Sequence, residues 1–154
     1  MIKNIIVIVS LCVFSVFAFS GFVQAQNNIN GIWKTISDEG SDKGKAKSHV
    51  EIFDEGGAYF GKVVKLLLKP QDTLCDKCTG DLKNKPVVGM LIINNMKKTG
   101  NSDEELGEEY AGGSVMDPDN GKTYKCKIWV KGDTLTLRGY IGFLYRTQQW
   151  FRVK

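Results

Sequence analysis

Histidine is almost missing from this chain: His49 is the only one in 154 residues. With no Gly-x-Ser-x-Gly elbow either, a Ser-His-Asp hydrolase has no means of assembly, so no enzyme and no catalytic residue is expected. His49 itself stands in "KSHVEIF" on the side opposite Val50 and Ile52, which turns it towards solvent. A zinc site is short of ligands as well, because Cys75 and Cys78 form the only close-spaced pair, and Cys126 and His49 lie on other segments. No metal site and no cofactor are expected. Clustered positive charge is also lacking. The 21 Lys and Arg against 17 Asp and Glu leave a net +4 spread along the chain, without the basic face that nucleic acid requires. "DPDNG" starts like a calcium loop, but no Glu follows at the bidentate position, and it reads as a hairpin turn. The cluster Asp103, Glu104, Glu105, Glu108, Glu109 reads as a solvated link.

The first residues do carry a pattern. "MIKNIIVIVSLCVFSVFAFSGFVQAQ" opens with Lys3, runs through an apolar stretch from Ile5 to Phe19 broken by two serines, and closes on Val23-Gln24-Ala25. This is the order of a secretory signal peptide, residues 1–25, with cleavage expected after Ala25. Its apolar run is shorter than the roughly 20 residues a spanning helix needs, so no integral membrane span is expected after cleavage. The expected location is therefore exported, periplasmic or secreted. Residues 26–154 suffice for one domain with its own core.

No segment of that domain shows a long 3.6-residue apolar period. Short alternating segments separated by turn residues argue instead for an all-β fold. Strands are expected over 31–37, 48–53, 58–68, 87–94, 110–117, 122–131, 134–142 and 144–153, with a polar link over 97–109 that has room for one helical turn. In "KTYKCKIWVK", Tyr124, Cys126, Ile128 and Val130 share one face, while Lys125, Lys127, Trp129 and Lys131 share the other. One face is core and the other mostly wet, as in an antiparallel sheet. About eight sequential strands suggest a single meander closed into a small barrel, which removes its edges; a two-sheet sandwich is the alternative. A barrel of this size is either filled by side chains or hollow enough for one small ligand.

Cysteines exported to an oxidising space pair readily. "TLCDKCTGD" lies between polar loop segments with no strand-to-helix pattern around it, so Cys75 and Cys78 read as a local disulfide staple rather than a redox centre. A rival staple from Cys126 to either loop cysteine would close a much longer ring, but Cys126 falls on the apolar face, which favours a buried free thiol.

The blocks "GIWKT", "GKVVKL", "PVVGMLII", "GGSVMDPDNGKTYKCKI" and "LTLRGYIGFLYRTQQWFRV" together resemble the exported bacterial domain-of-unknown-function family 2147 over essentially all of the mature chain. The resemblance implies a lipocalin-like β-barrel and brings no activity with it. Many members of that family have Trp where "EEYAGGS" places Tyr110. Gly31-x-Trp33 also resembles the lipocalin signature, which implies a structural stack of a late-strand Arg, here Arg152, over Trp33. Candidate ligand contacts are Tyr110, Arg138, Tyr140, Tyr145, Gln148 and Trp150, since an Arg with Tyr and Trp neighbours suits an apolar ligand bearing a carboxylate. The expected role is binding of a small apolar or amphipathic ligand inside the barrel. The alternative is a filled barrel acting as an envelope interaction or stress-associated module through an unknown protein partner.

Overall fold

The computed structural model describes residues 28–154, and the expected signal peptide, residues 1–25, lies outside the described residues. Among the described residues nine strands follow in order: β1 (Gly31–Ile36), β2 (Ala46–Glu55), β3 (Ala58–Leu66), β4 (Leu91–Asp103), β5 (Gly107–Ala111), β6 (Ser114–Asp117), β7 (Lys122–Lys131), β8 (Thr134–Ile141) and β9 (Leu144–Arg152). All pairings are antiparallel. β5 and β6 succeed one another along a single stave between β4 and β7, and β9 returns to β1. The nine strands thus close eight staves into an up-and-down barrel, and the ring itself is paired all the way round. The sandwich alternative is excluded by the β3–β4 and β1–β9 pairings that complete the ring.

Three expected boundaries move, each for a local reason. Val87–Met90 is not strand: Gly89 turns at φ +90°, and the chain joins the barrel wall only from Leu91. The polar link over 97–109 is a long hairpin. β4 continues through Asp103 with its residues exposed, turns, and comes back as β5, with Asp103 paired to Gly107. The single strand expected over 110–117 is broken at Gly112-Gly113, because a Cβ at Gly113 would overlap the Asn94 carbonyl oxygen and the Met96 sulfur. The close approach of β4 there forces the break.

The two ends of the barrel differ. At one end Trp33 is fully buried and donates its indole N–H to the Ile29 carbonyl at 2.8 Å. Met96, Tyr110, Ile128, Val130 and Leu135 pack this end solid. The other end is ringed by the long β1–β2 and β3–β4 loops and the tight β6–β7 and β8–β9 turns. Cys75 and Cys78 form a disulfide within the β3–β4 loop, Cα to Cα 5.4 Å, and both are buried. The loop folds as a small hairpin of its own, in which Cys75 N–H donates to Lys85 O at 2.9 Å and Val87 N–H to Thr73 O at 2.9 Å. It sits against the β6–β7 turn, where a Cβ at Gly121 would overlap the Lys77 carbonyl. The staple therefore shapes the rim of the open end.

Candidate functional site

The open half of the barrel encloses a cavity of about 1030 Å³ that continues up to the surrounding loops. Alternation along each strand supplies its walls. Leu137 on β8 faces Gln148 on β9, and Leu135 faces Trp150, so these four share the inner face. Val63, Ile92, Val115 and Leu137 give the cavity an apolar body. Polar groups line the wall at Thr35 and Ser48 and become frequent towards the surrounding loops. Thr35 and Ser48 share a hydroxyl–hydroxyl hydrogen bond of 2.8 Å on one wall. Trp150 Nε1 donates to Gln148 Oε1 at 3.3 Å, and Gln148 Nε2 donates in turn to Asp38 Oδ2 at 3.0 Å.

Charge is confined to the mouth. Arg146 Nε donates to Asp38 Oδ2 at 2.6 Å, and its guanidinium also pairs with Glu39, tying β9 to the β1–β2 loop. Across the opening, Asp119 on the β6–β7 turn accepts from Lys47 at 2.6 Å and Lys69 at 2.8 Å, which fastens the β3–β4 loop. Burial raises the Asp119 carboxyl, but the hydrogen bonds and charges of the two lysines outweigh it and bring the pKa down from 3.8 to about 2. Asp38 is also lowered: burial opposes ionisation, and hydrogen bonds from Arg146 and Gln148 more than offset it. A depressed carboxyl contributes stability above its unfolded pKa and loses it as pH falls through the folded one. Amide protection factors of residues 73–87, taken against the intrinsic exchange rate at each pH, are thus expected to fall as pH drops from about 4 towards 2, while those of the β7–β8 amides hold.

The residues singled out from the sequence separate into three places. Gln148 and Trp150 line the cavity. Arg138, Tyr140 and Tyr145 do not: they stand on the outer face, where Arg138 lies 5.0 Å from the Trp129 ring centroid and 5.1 Å from that of Tyr145. The reason is register. Tyr140 pairs with Tyr145, and Arg138 with Thr147, on the face opposite Leu137 and Gln148. Tyr110 is buried at the closed end, edge-on to Tyr59 at 5.1 Å, with its hydroxyl pushed up to about 12 chiefly by burial. It belongs to the packed base and not to the cavity.

The base holds the other pair. Arg152 places its guanidinium 4.2 Å from the Trp33 ring centroid and donates to the Asn30 and Asn28 carbonyls at 2.8 and 2.5 Å. Gly31 has a positional reason: it sits at φ +128°, and a Cβ there would meet Arg152 Nη1 at 2.9 Å. The Thr35–Ser48 pair and the Lys47–Asp119–Lys69 latch were not anticipated. Alternation places Thr35 on the Trp33 face, whereas the latch joins loops far apart in sequence and leaves no local trace.

A closed eight-stave barrel with a plugged base, an Arg-covered Trp and a single-mouthed cavity is the architecture of a lipocalin-like barrel. In agreement, protein HP1028 from the human pathogen Helicobacter pylori, described as belonging to the lipocalin family, shares this fold at 20% sequence identity and a TM-score of 0.67, over 82% of this chain and 84% of its own. The particular family is given by the sequence. The chain belongs to DUF2147, described as uncharacterized protein conserved in bacteria, whose model matches residues 31–152. No curated protein matches the chain.

Proposed function

We propose that this protein is an exported, non-enzymatic carrier of a small amphipathic molecule, whose apolar body lies in the barrel and whose polar head stays at the mouth. The cavity carries this reading. At about 1030 Å³ it matches the upper end of ordinary ligand pockets, and its charged groups sit at the rim, not at the bottom. A filled barrel working only through its outer surface has no use for such a space. Binding is favoured over catalysis by where the reactive groups stand. His49 lies on the outer wall, across from Lys34 and Lys65, and burial together with those two charges lowers its pKa. Burial pushes the Cys126 thiol up to about 12, which keeps it from acting as a nucleophile.

The head group meets Arg146, Gln148 and Lys47, so a carboxylate or phosphate suits the mouth if it shares or displaces Asp38. Native mass spectrometry of protein purified from its own host is expected to show a co-purifying small amphiphile released by organic extraction. An empty barrel that also fails to take up a dansyl-labelled fatty acid would overturn the reading.

A further inference from the structure

The surface of the barrel is not evenly apolar. Of eleven exposed large hydrophobic side chains among the described residues, eight stand on two structures at the open end: four on the β3–β4 loop and four within Ile141–Tyr145 at the β8–β9 hairpin. The hairpin is the sharper feature. Ile141 pairs with Leu144 across the two-residue turn Gly142-Phe143, and the turn asks only for Gly142, which has φ +60°. Phe143 is 93% exposed and supports nothing in the fold, and turn chemistry favours small polar residues at such a tip.

Moving down from the tip, side chains change in a definite order. Phe143 comes first, then the exposed pair Ile141 and Leu144, then Tyr140 and Tyr145 with ring centroids 5.9 Å apart. Lys125, in register with Tyr140, stands beside the tyrosines at that same level, and Arg138, two residues further along β8, is held between Tyr145 and Trp129. One residue advances about 3.3 Å along a strand, so the tyrosines stand one step below Ile141 and Leu144, and Arg138 two steps below the tyrosines. An apolar tip, then tyrosines with a lysine among them, then an arginine, match the hydrocarbon core and the interface with its phosphates in a lipid bilayer. A flat protein surface offers no reason for such grading with depth.

We propose that the open end docks on a phospholipid bilayer, with the Ile141–Tyr145 hairpin inserted and the cavity mouth facing the lipid. The orientation gives the carrier reading, on which this proposal rests for its purpose, a route by which an amphiphile enters without crossing water. A protein partner seated on the same ring would instead seal the mouth.

The test uses the chain from Gln26 onward, which contains every strand pairing of the barrel, and sedimentation with vesicles of phosphatidylethanolamine and phosphatidylglycerol at 3:1. The unsubstituted chain is expected to co-sediment, and F143S/L144S to lose at least about tenfold in vesicle partition, since burying either side chain is worth a factor of ten or more. Both positions are exposed, so the variant keeps its circular dichroism and its melting temperature. Failure of the unsubstituted chain to bind vesicles, or equal binding by the variant, overturns the docking. Dimerisation through Phe143 without vesicle binding would replace the bilayer with a second copy and also overturns it. Fatty-acid binding measured without vesicles separates the two ideas. Its retention in F143S/L144S supports both, while its absence from every chain condemns the carrier reading alone.

Discussion

Replacing Trp33 by alanine is expected to remove about 3–5 kcal/mol from the unfolding free energy, measured as a lowered midpoint in urea with an unchanged slope. Trp33 is fully buried, and three interactions converge on it. Its ring fills the base of the barrel, its Nε1 donates to Ile29 O at 2.8 Å, and Arg152 covers its face. The first of these dominates. Loss of a buried indole leaves a cavity that a closed barrel cannot collapse around, because each stave is hydrogen-bonded on both sides. The Arg152 stack adds roughly 0.5–2 kcal/mol by itself, and Arg152→Ala is accordingly the milder change. A small domain has only about 5–15 kcal/mol in total, so Trp33→Ala is expected to leave a barrel partly unfolded at 37 °C. A loss below about 1 kcal/mol would mean that the base is not what holds β1 to β9.

The parts of the fold that were readable before the structure are those where one face is buried and the other wet. β7, β8 and β9 show that alternation plainly, and their ends follow the expected turns closely. β4 and β5 obscured it because their hairpin projects past the barrel, with 97–103 exposed on both faces, and a strand wet on both sides has no period to read. Trp129 shows the converse. It points outward with the lysines, yet it is buried, because Arg138 and the Lys127 side chain lie over it. The candidate site was half legible for a related reason. Grouping Arg138, Tyr140 and Tyr145 with Gln148 and Trp150 ignored the two-residue period that sends Tyr145 one way and Gln148 and Trp150 the other. The mouth latches depend on contacts between Asp38 and Arg146, and between Lys69 and Asp119, which no local pattern announces.

Closing the cavity with bulk from opposite walls should abolish ligand uptake. Val63 on β3 and Leu137 on β8 stand four staves apart in a ring of eight, and both line the cavity. In V63F/L137W the enlarged side chains meet across the hollow half, so an apolar ligand loses its space rather than a single contact. A fall of at least about thirtyfold in affinity for a dansyl-labelled fatty acid is expected, or about 2 kcal/mol. Overpacking a dense core costs roughly 1–3 kcal/mol and both positions are buried, so circular dichroism and the melting temperature are read beside the affinity, and the loss counts where the barrel stays folded. The control comes from the outer face: R138A/Y145A removes the Arg and Tyr that the sequence alone put forward, and their side chains stand on the far side of the wall from the cavity. That variant should bind the probe as the unsubstituted chain does. Unchanged binding in V63F/L137W with lost binding in R138A/Y145A would place the ligand on the outer surface of β7–β9 and refute the interior site. The two double variants therefore decide between faces of the same strands, a question the two-residue period poses and only ligand binding answers.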